Sequence, residues 1–135
     1  MIAKVRYPNM IAAIVPQFFT TNLPSTLTYY NDLLGFETQF TFGEPTFYAG
    51  AIRDDHSLFF RLVPTAPPQN EHKYKEEYLD AYIRADDIDA LYEEYQSKGV
   101  TFFRTIDSMP WGFREFVVKD CDDRLICFGK STEYT

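Results

Sequence analysis

The chain has 135 residues and a mass of 15.8 kDa, room for one compact domain and no more. Hydrophobic residues make up 45% and charged ones 24%, a balance that excludes a disordered chain. Thirteen Lys and Arg against twenty Asp and Glu leave a net charge of −7, which argues against a nucleic-acid partner.

In chain order, Met10 to Thr20 is apolar and β-rich and predicts a strand that stops at Thr21-Asn22, where a side-chain oxygen can cap a helix. The helix is expected over Leu23 to Leu34. Apolar positions 23, 27, 30 and 34 fall three or four apart, Pro24 suits a first turn, and Gly35 supplies the stop. Three strands follow, over Phe36 to Phe42, Phe47 to Arg53 and Ser57 to Val63, with turn residues between them. Residues 64–75 hold three prolines and no helical or strand period, and they read as a linker. The pattern then returns: strand Tyr78 to Ala85, cap Asp86-Asp87, helix Ile88 to Lys98, stop Gly99, and strands Val100 to Ile106, Arg114 to Lys119 and Leu125 to Phe128.

The two halves are one unit repeated. Gly35 and Gly99 are 64 residues apart, and Leu23 and Ile88 are 65 apart. The expected fold is α+β: two tandem βαβββ modules, 10–63 and 76–129, with helices on the outer side of concave sheets and a ligand groove on the other. Strand parity divides the faces. Leu58, Phe60 and Leu62, Leu79, Ala81, Ile83 and Ala85, and Ile126 and Phe128 form the helix-facing rows. That leaves Ser57, Phe59 and Arg61, Asp80, Tyr82 and Arg84, and Leu125 and Cys127 toward the groove.

Three segments carry a family resemblance. Phe18-Phe19-Thr20-Thr21-Asn22-Leu23 with Tyr29-Tyr30-Asn31-Asp32-Leu33-Leu34-Gly35-Phe36-Glu37 resembles the first module of the vicinal oxygen chelate superfamily, which includes glyoxalase I, fosfomycin and bleomycin resistance proteins and extradiol dioxygenases. Asp86-Asp87-Ile88-Asp89-Ala90-Leu91-Tyr92 through Lys98-Gly99-Val100 resembles the second. The run Pro110-Trp111-Gly112-Phe113-Arg114-Glu115-Phe116, followed by Asp120-Cys121-Asp122-Asp123-Arg124-Leu125-Ile126, is similar to the bleomycin-resistance branch. Asp123 stands where that branch has Gly in a turn, and Asp is among the few residues that tolerate a positive φ.

Metal-using members place His, Glu or Gln at one groove-facing position on each of four strands. By register those positions are here Val15 or Gln17, Phe59, Asp80 and Cys127, which is not a metal set, so neither metal nor cofactor is expected. His56 and His72 fall in a turn and in the linker, where solvated histidines are the rule. Cys127 has no obligatory His partner in the sequence, and Cys121 and Cys127 are expected as free thiols.

The resemblance implies a homodimer that binds a small molecule, as antibiotic resistance proteins do, without catalysis, and the lack of a membrane run or signal-peptide core reads as a cytoplasmic location. The alternative is an enzyme of the same superfamily, a lyase, isomerase or dioxygenase with an atypical metal site or none. The expected ligand is cationic or aromatic. Trp111 beside Gly112 serves as a stacking platform, Phe59 and Tyr82 as walls, Asp80 supplies charge, and Arg61 and Arg84 either pair with groove carboxylates or meet the ligand. No run of about twenty apolar residues suggests a membrane span, and no signal-peptide core opens the chain.

Overall fold

A computed structural model describes residues 6–133. Its elements run β1 (Gln17–Thr20), α1 (Leu23–Asp32), β2 (Glu37–Phe42), β3 (Tyr48–Arg53), β4 (His56–Leu62), β5 (Ala81–Arg84), α2 (Ile88–Ser97), β6 (Phe102–Ser108), β7 (Phe113–Lys119) and β8 (Leu125–Ser131). They form two four-stranded sheets with strand orders β1-β4-β3-β2 and β5-β8-β7-β6. In each sheet the first strand runs parallel to the last and the others are antiparallel, so the unit is indeed used twice. No helix among the described residues is long and apolar enough to cross a membrane.

Local chemistry explains the helices. The Asn22 side chain accepts the Ser25 N–H at 3.1 Å and opens α1, and Asp87 does the same for the Ala90 N–H at α2. Both helices are followed by a glycine at positive φ, Gly35 at 78° and Gly99 at 77°. Asp123 takes φ 63°, so the turn expected to need Gly is made with Asp.

Two strands are shorter than their patterns predict. The first begins at Gln17 and not at Met10, because Pro16 has no N–H to give a ladder. Met10, Ile11 and Ile14 are exposed. The fifth begins at Ala81 and not at Tyr78, because the Tyr78 N–H closes a turn onto the Lys73 carbonyl at 2.8 Å. The last strand gains three residues, since Gly129, Lys130 and Ser131 continue the ladder against Glu115, Arg114 and Phe113.

Tyr30, Leu34 and Phe60 from the first module and Tyr95, Phe116 and Phe128 from the second share a single buried cluster. Each such side chain contributes roughly 1.5–3 kcal/mol through burial. Because the helix-facing rows of both sheets meet in this cluster, the helix-free faces turn outward, away from the shared core. Polar links cross the same seam. Tyr30 Oη donates to Asp120, Arg124, itself paired with Asp120 inside the second module at 2.7 Å, donates across to the Phe19 carbonyl, and Tyr95 Oη donates to the Leu34 carbonyl at 2.9 Å. Arg53 also grips Glu94 with two bonds of 2.8 Å.

Candidate functional site

On the helix-free face of the first sheet, Phe40, Tyr48 and Phe59 pack edge to face, with ring centroids 5.2–5.9 Å apart. Gly50 makes room, since a Cβ there would lie 2.4 Å from the Phe40 ring. Gln17 Nε2 donates to Tyr48 Oη at 3.2 Å, and the Arg61 guanidinium sits 4.6 Å from the Phe47 ring centroid. Phe19 and Phe42 are exposed.

The helix-free face of the second sheet buries Leu125 and Cys127, expected in the groove, with Val117 in a small apolar cluster, and beside it carries a polar group ordered by one carboxylate. Glu115, on β7, is 3% exposed and accepts from Tyr82 Oη at 2.7 Å, Trp111 Nε1 at 3.1 Å and Arg104 Nη2 at 3.0 Å. The same Nη2, with Nε, also donates to the two carboxylate oxygens of Glu77, at 3.1 and 2.7 Å. Burial alone would raise the Glu115 pKa, but its three donors outweigh that and hold it below the ordinary carboxylate value. Burial, together with the bond to Glu115, pushes the Tyr82 phenol upward, so it stays protonated and donates. Trp111 remains 57% exposed and Tyr82 40%, both in reach of a ligand.

The expected site residues are therefore divided. Phe59 and Arg61 lie on the first sheet, Tyr82 and Arg84 on the second, and Trp111 and Gly112 in the loop leading into β7. One chain does not bring Phe59 and Tyr82 onto a single face, because the shared core separates the two outward surfaces. Asp80 leaves the groove altogether. It pairs with the buried Lys73 and accepts the Leu125 N–H, in a cleft of about 630 Å³ between β1, the linker and the 121–124 turn. Among the described residues Arg61, Arg84 and Asp80 form no ion pairs with one another; Arg84 lies 5.8 Å from the Phe113 centroid.

The register also revises the four metal-type positions. Gln17 pairs with Phe59, and the residue beside Cys127 is Tyr82, since Asp80 falls before β5. An amide, a phenyl ring, a phenol committed to Glu115 and a buried thiol do not make the donor set of a divalent ion. Burial and the neighbouring Glu115 push the Cys127 thiol up to about 12, which keeps it un-ionised. Among the described residues no three His, Cys, Asp or Glu side chains gather as a metal cluster. His56 opens β4 and is exposed, and His72 stays in the linker beside Glu71.

In the sequence, Arg114 and Glu115 stand out only as part of the run from Pro110 to Phe116, and no local pattern singles out Arg104 or Glu77. Parity alone places Glu115 on the same face as Val117 and Cys127, but its three donors come from β5, β6 and the loop before β7. Arg114, on the opposite parity, binds Asp89 of α2 at 2.9 Å.

A family model described as the glyoxalase/bleomycin resistance protein/dioxygenase superfamily matches residues 10–128. Solved structures with the same fold include a bleomycin-binding protein from bleomycin-producing Streptomyces verticillus, complexed with copper(II)-bleomycin. It is 25% identical, with 90% of this chain and 96% of that one covered and a TM-score of 0.63. A bleomycin resistance determinant encoded on transposon Tn5 is 18% identical, with 90% and 98% covered and a TM-score of 0.71. A glyoxalase-related enzyme from Clostridium phytofermentans is 16% identical, with 93% and 99% covered and a TM-score of 0.72. No curated protein matches the chain in sequence.

Proposed function

Because the chain belongs to the glyoxalase/bleomycin resistance protein/dioxygenase superfamily, we propose that it binds and sequesters a planar, cationic small molecule without transforming it. The observation that carries this reading is the outward face of the second sheet. It presents two aromatic rings fixed by their polar edges, above a floor of two carboxylates and one guanidinium. Such a face offers stacking surface, with the carboxylates of Glu77 and Glu115 balanced by the guanidinium groups of Arg104 and Arg84. The net charge of −7, concentrated as −6 beyond residue 65, draws a cation to the same half. The 25% identical Streptomyces protein, which holds copper(II)-bleomycin, supports a ligand of this kind.

In this reading two copies pair in a cytoplasmic homodimer, so that the aromatic face of one faces the polar face of the other. Phe59, Phe19 and Arg61 of one copy then enclose a ligand stacked on Trp111, with Tyr82 and Arg84 behind it. Exposed Phe42, Phe19 and Trp111 leave apolar surface for such pairing.

Native mass spectrometry of protein purified without chelator tests the proposal, with an organic molecule expected on a dimer. Trp111 is the only indole, so its emission reports binding directly. Metal-free bleomycin serves as the probe, and Trp111→Ala is expected to weaken it by about five- to thirtyfold, or about 1–2 kcal/mol. A divalent metal retained stoichiometrically through dialysis, with turnover that depends on it, replaces this reading with that of an enzyme.

A further inference from the structure

The carboxylate at the centre of the polar face, Glu115, is buried, yet both exposed rings hang from it. The phenol O–H of Tyr82 and the indole N–H of Trp111 converge on the same oxygen, Oε2 of Glu115, while Oε1 takes the Arg104 bond. Arg104 is itself held by both carboxylate oxygens of Glu77. Gly129, directly across the ladder from Glu115, completes the arrangement. A Cβ there would stand 2.0 Å from Tyr82 Oη and 3.1 Å from Glu115 Cγ, so only glycine lets the phenol reach the carboxylate.

We propose that Glu115 is the positioning residue of this binding face, clamping Trp111 and Tyr82 by their polar edges so that a ligand meets ring faces already set in place. The role rests on the binding function proposed above. It also defines what the face selects. The donors of both rings are used internally, so recognition falls on the flat π surfaces. A ligand that relied on a hydrogen bond from the indole would have to break the one to Glu115. A half-exposed indole left untethered would sample several rotamers and lose that freedom on binding, whereas the clamp removes the loss beforehand. Glu77 and Arg104 act one step further back, holding the carboxylate against the sheet.

The test needs no identified ligand. The single indole N–H gives one NMR resonance, and in the wild-type protein it should exchange with solvent at least tenfold more slowly than that of free tryptophan. Exchange at the free rate overturns the clamp, and this holds even where no variant folds. Glu115→Met, which keeps the volume and leaves no oxygen acceptor for either ring, verified as folded by circular dichroism, should add a nanosecond component to the fluorescence anisotropy decay of Trp111 and weaken metal-free bleomycin by about tenfold. Gly129→Ala meets the phenol at 2.0 Å and Glu115 Cγ only at 3.1 Å, so it should weaken the same probe while changing the Trp111 anisotropy less than Glu115→Met does. A folded Glu115→Met protein with unchanged anisotropy refutes the assignment. Wild-type protein that ignores bleomycin counts against the binding function alone, because exchange and anisotropy still decide the clamp.

Discussion

Replacing Asp120 by Asn probes the seam between the two modules at its most buried charge. One oxygen, Oδ1, accepts the backbone N–H groups of Asp122 and Arg124, both at 2.9 Å, and an Asn side chain can keep these. The other accepts Tyr30 Oη and Arg124 Nη1, and there the substitution installs an N–H₂ facing two donors. Removing one partner from a buried ion pair costs about 3–5 kcal/mol. Arg124 keeps Asp122 at 3.3 Å and the Phe19 carbonyl, so the lower end applies and the expected loss is about 3 kcal/mol. Urea unfolding followed by circular dichroism and Trp111 emission should show a lower midpoint with an unchanged slope, and the melting temperature should fall by about 10 °C. Tyr30→Phe removes a single O–H and should cost about 1 kcal/mol. In a double-mutant cycle the two losses should fall short of additivity, because they share one bond. A loss below about 1 kcal/mol for Asp120→Asn, no larger than a surface ion pair gives, would mean that the seam is held by apolar packing and that the buried charges contribute nothing net.

Glu94→Gln tests the other inter-module pair. The bond from Arg53 holds the Glu94 carboxyl below its ordinary value of 4.5, so its contribution is present above that value and fades as pH falls through the lowered one. Both side chains are partly exposed, so the variant should lose about 1 kcal/mol at pH 7 and converge with wild type in acid, as chemical unfolding at several pH values will show. A constant gap across pH would place the effect in packing. The thiols give a further expectation. Burial, followed by neighbouring carboxylates, pushes both Cys121 and Cys127 up to about 12. At pH 8 an aromatic disulfide reagent should label each roughly a thousandfold more slowly than an ordinary cysteine, and at the ordinary rate once the protein is unfolded. Rapid labelling of native Cys121 would contradict its placement beside Asp120 and Asp122.

What the sequence makes legible follows from how local each determinant is. Asn22, Asp87, Gly35 and Gly99 act within a few residues of the helices they bound, so both helices can be read directly. Strand parity separates Phe60 from Phe59 and Phe128 from Cys127, because a period of two needs only neighbours. The polar assignments depend on groups far apart in the chain. Asp80 is taken by Lys73 through a linker turn that has no period to read, Arg104 reaches back 27 residues to Glu77, and Tyr30 meets Asp120 across 90 residues. The shortened first strand was within reach, since Pro16 marks where the ladder must stop. The separation of Phe59 from Tyr82 was not, because parity orders faces within a sheet and says nothing about how two sheets pack.

The parallel pairing of the first and last strand in each module sets an order of assembly. Gln17 joins Phe59 and Ala81 joins Ile126, so neither sheet can close until its fourth strand has been synthesised, and the intervening helix and hairpin must form as a tethered loop. The seam contacts span still more chain, 105 residues between Arg124 and Phe19. Contacts at such separations place the protein among slower-folding mixed domains. A nascent chain that has passed residue 62 already holds every strand of the first sheet. The aromatic surface that its core will later share with Phe116 and Phe128 then waits uncovered until the C-terminal strands emerge, an interval in which a chaperone would find its binding site.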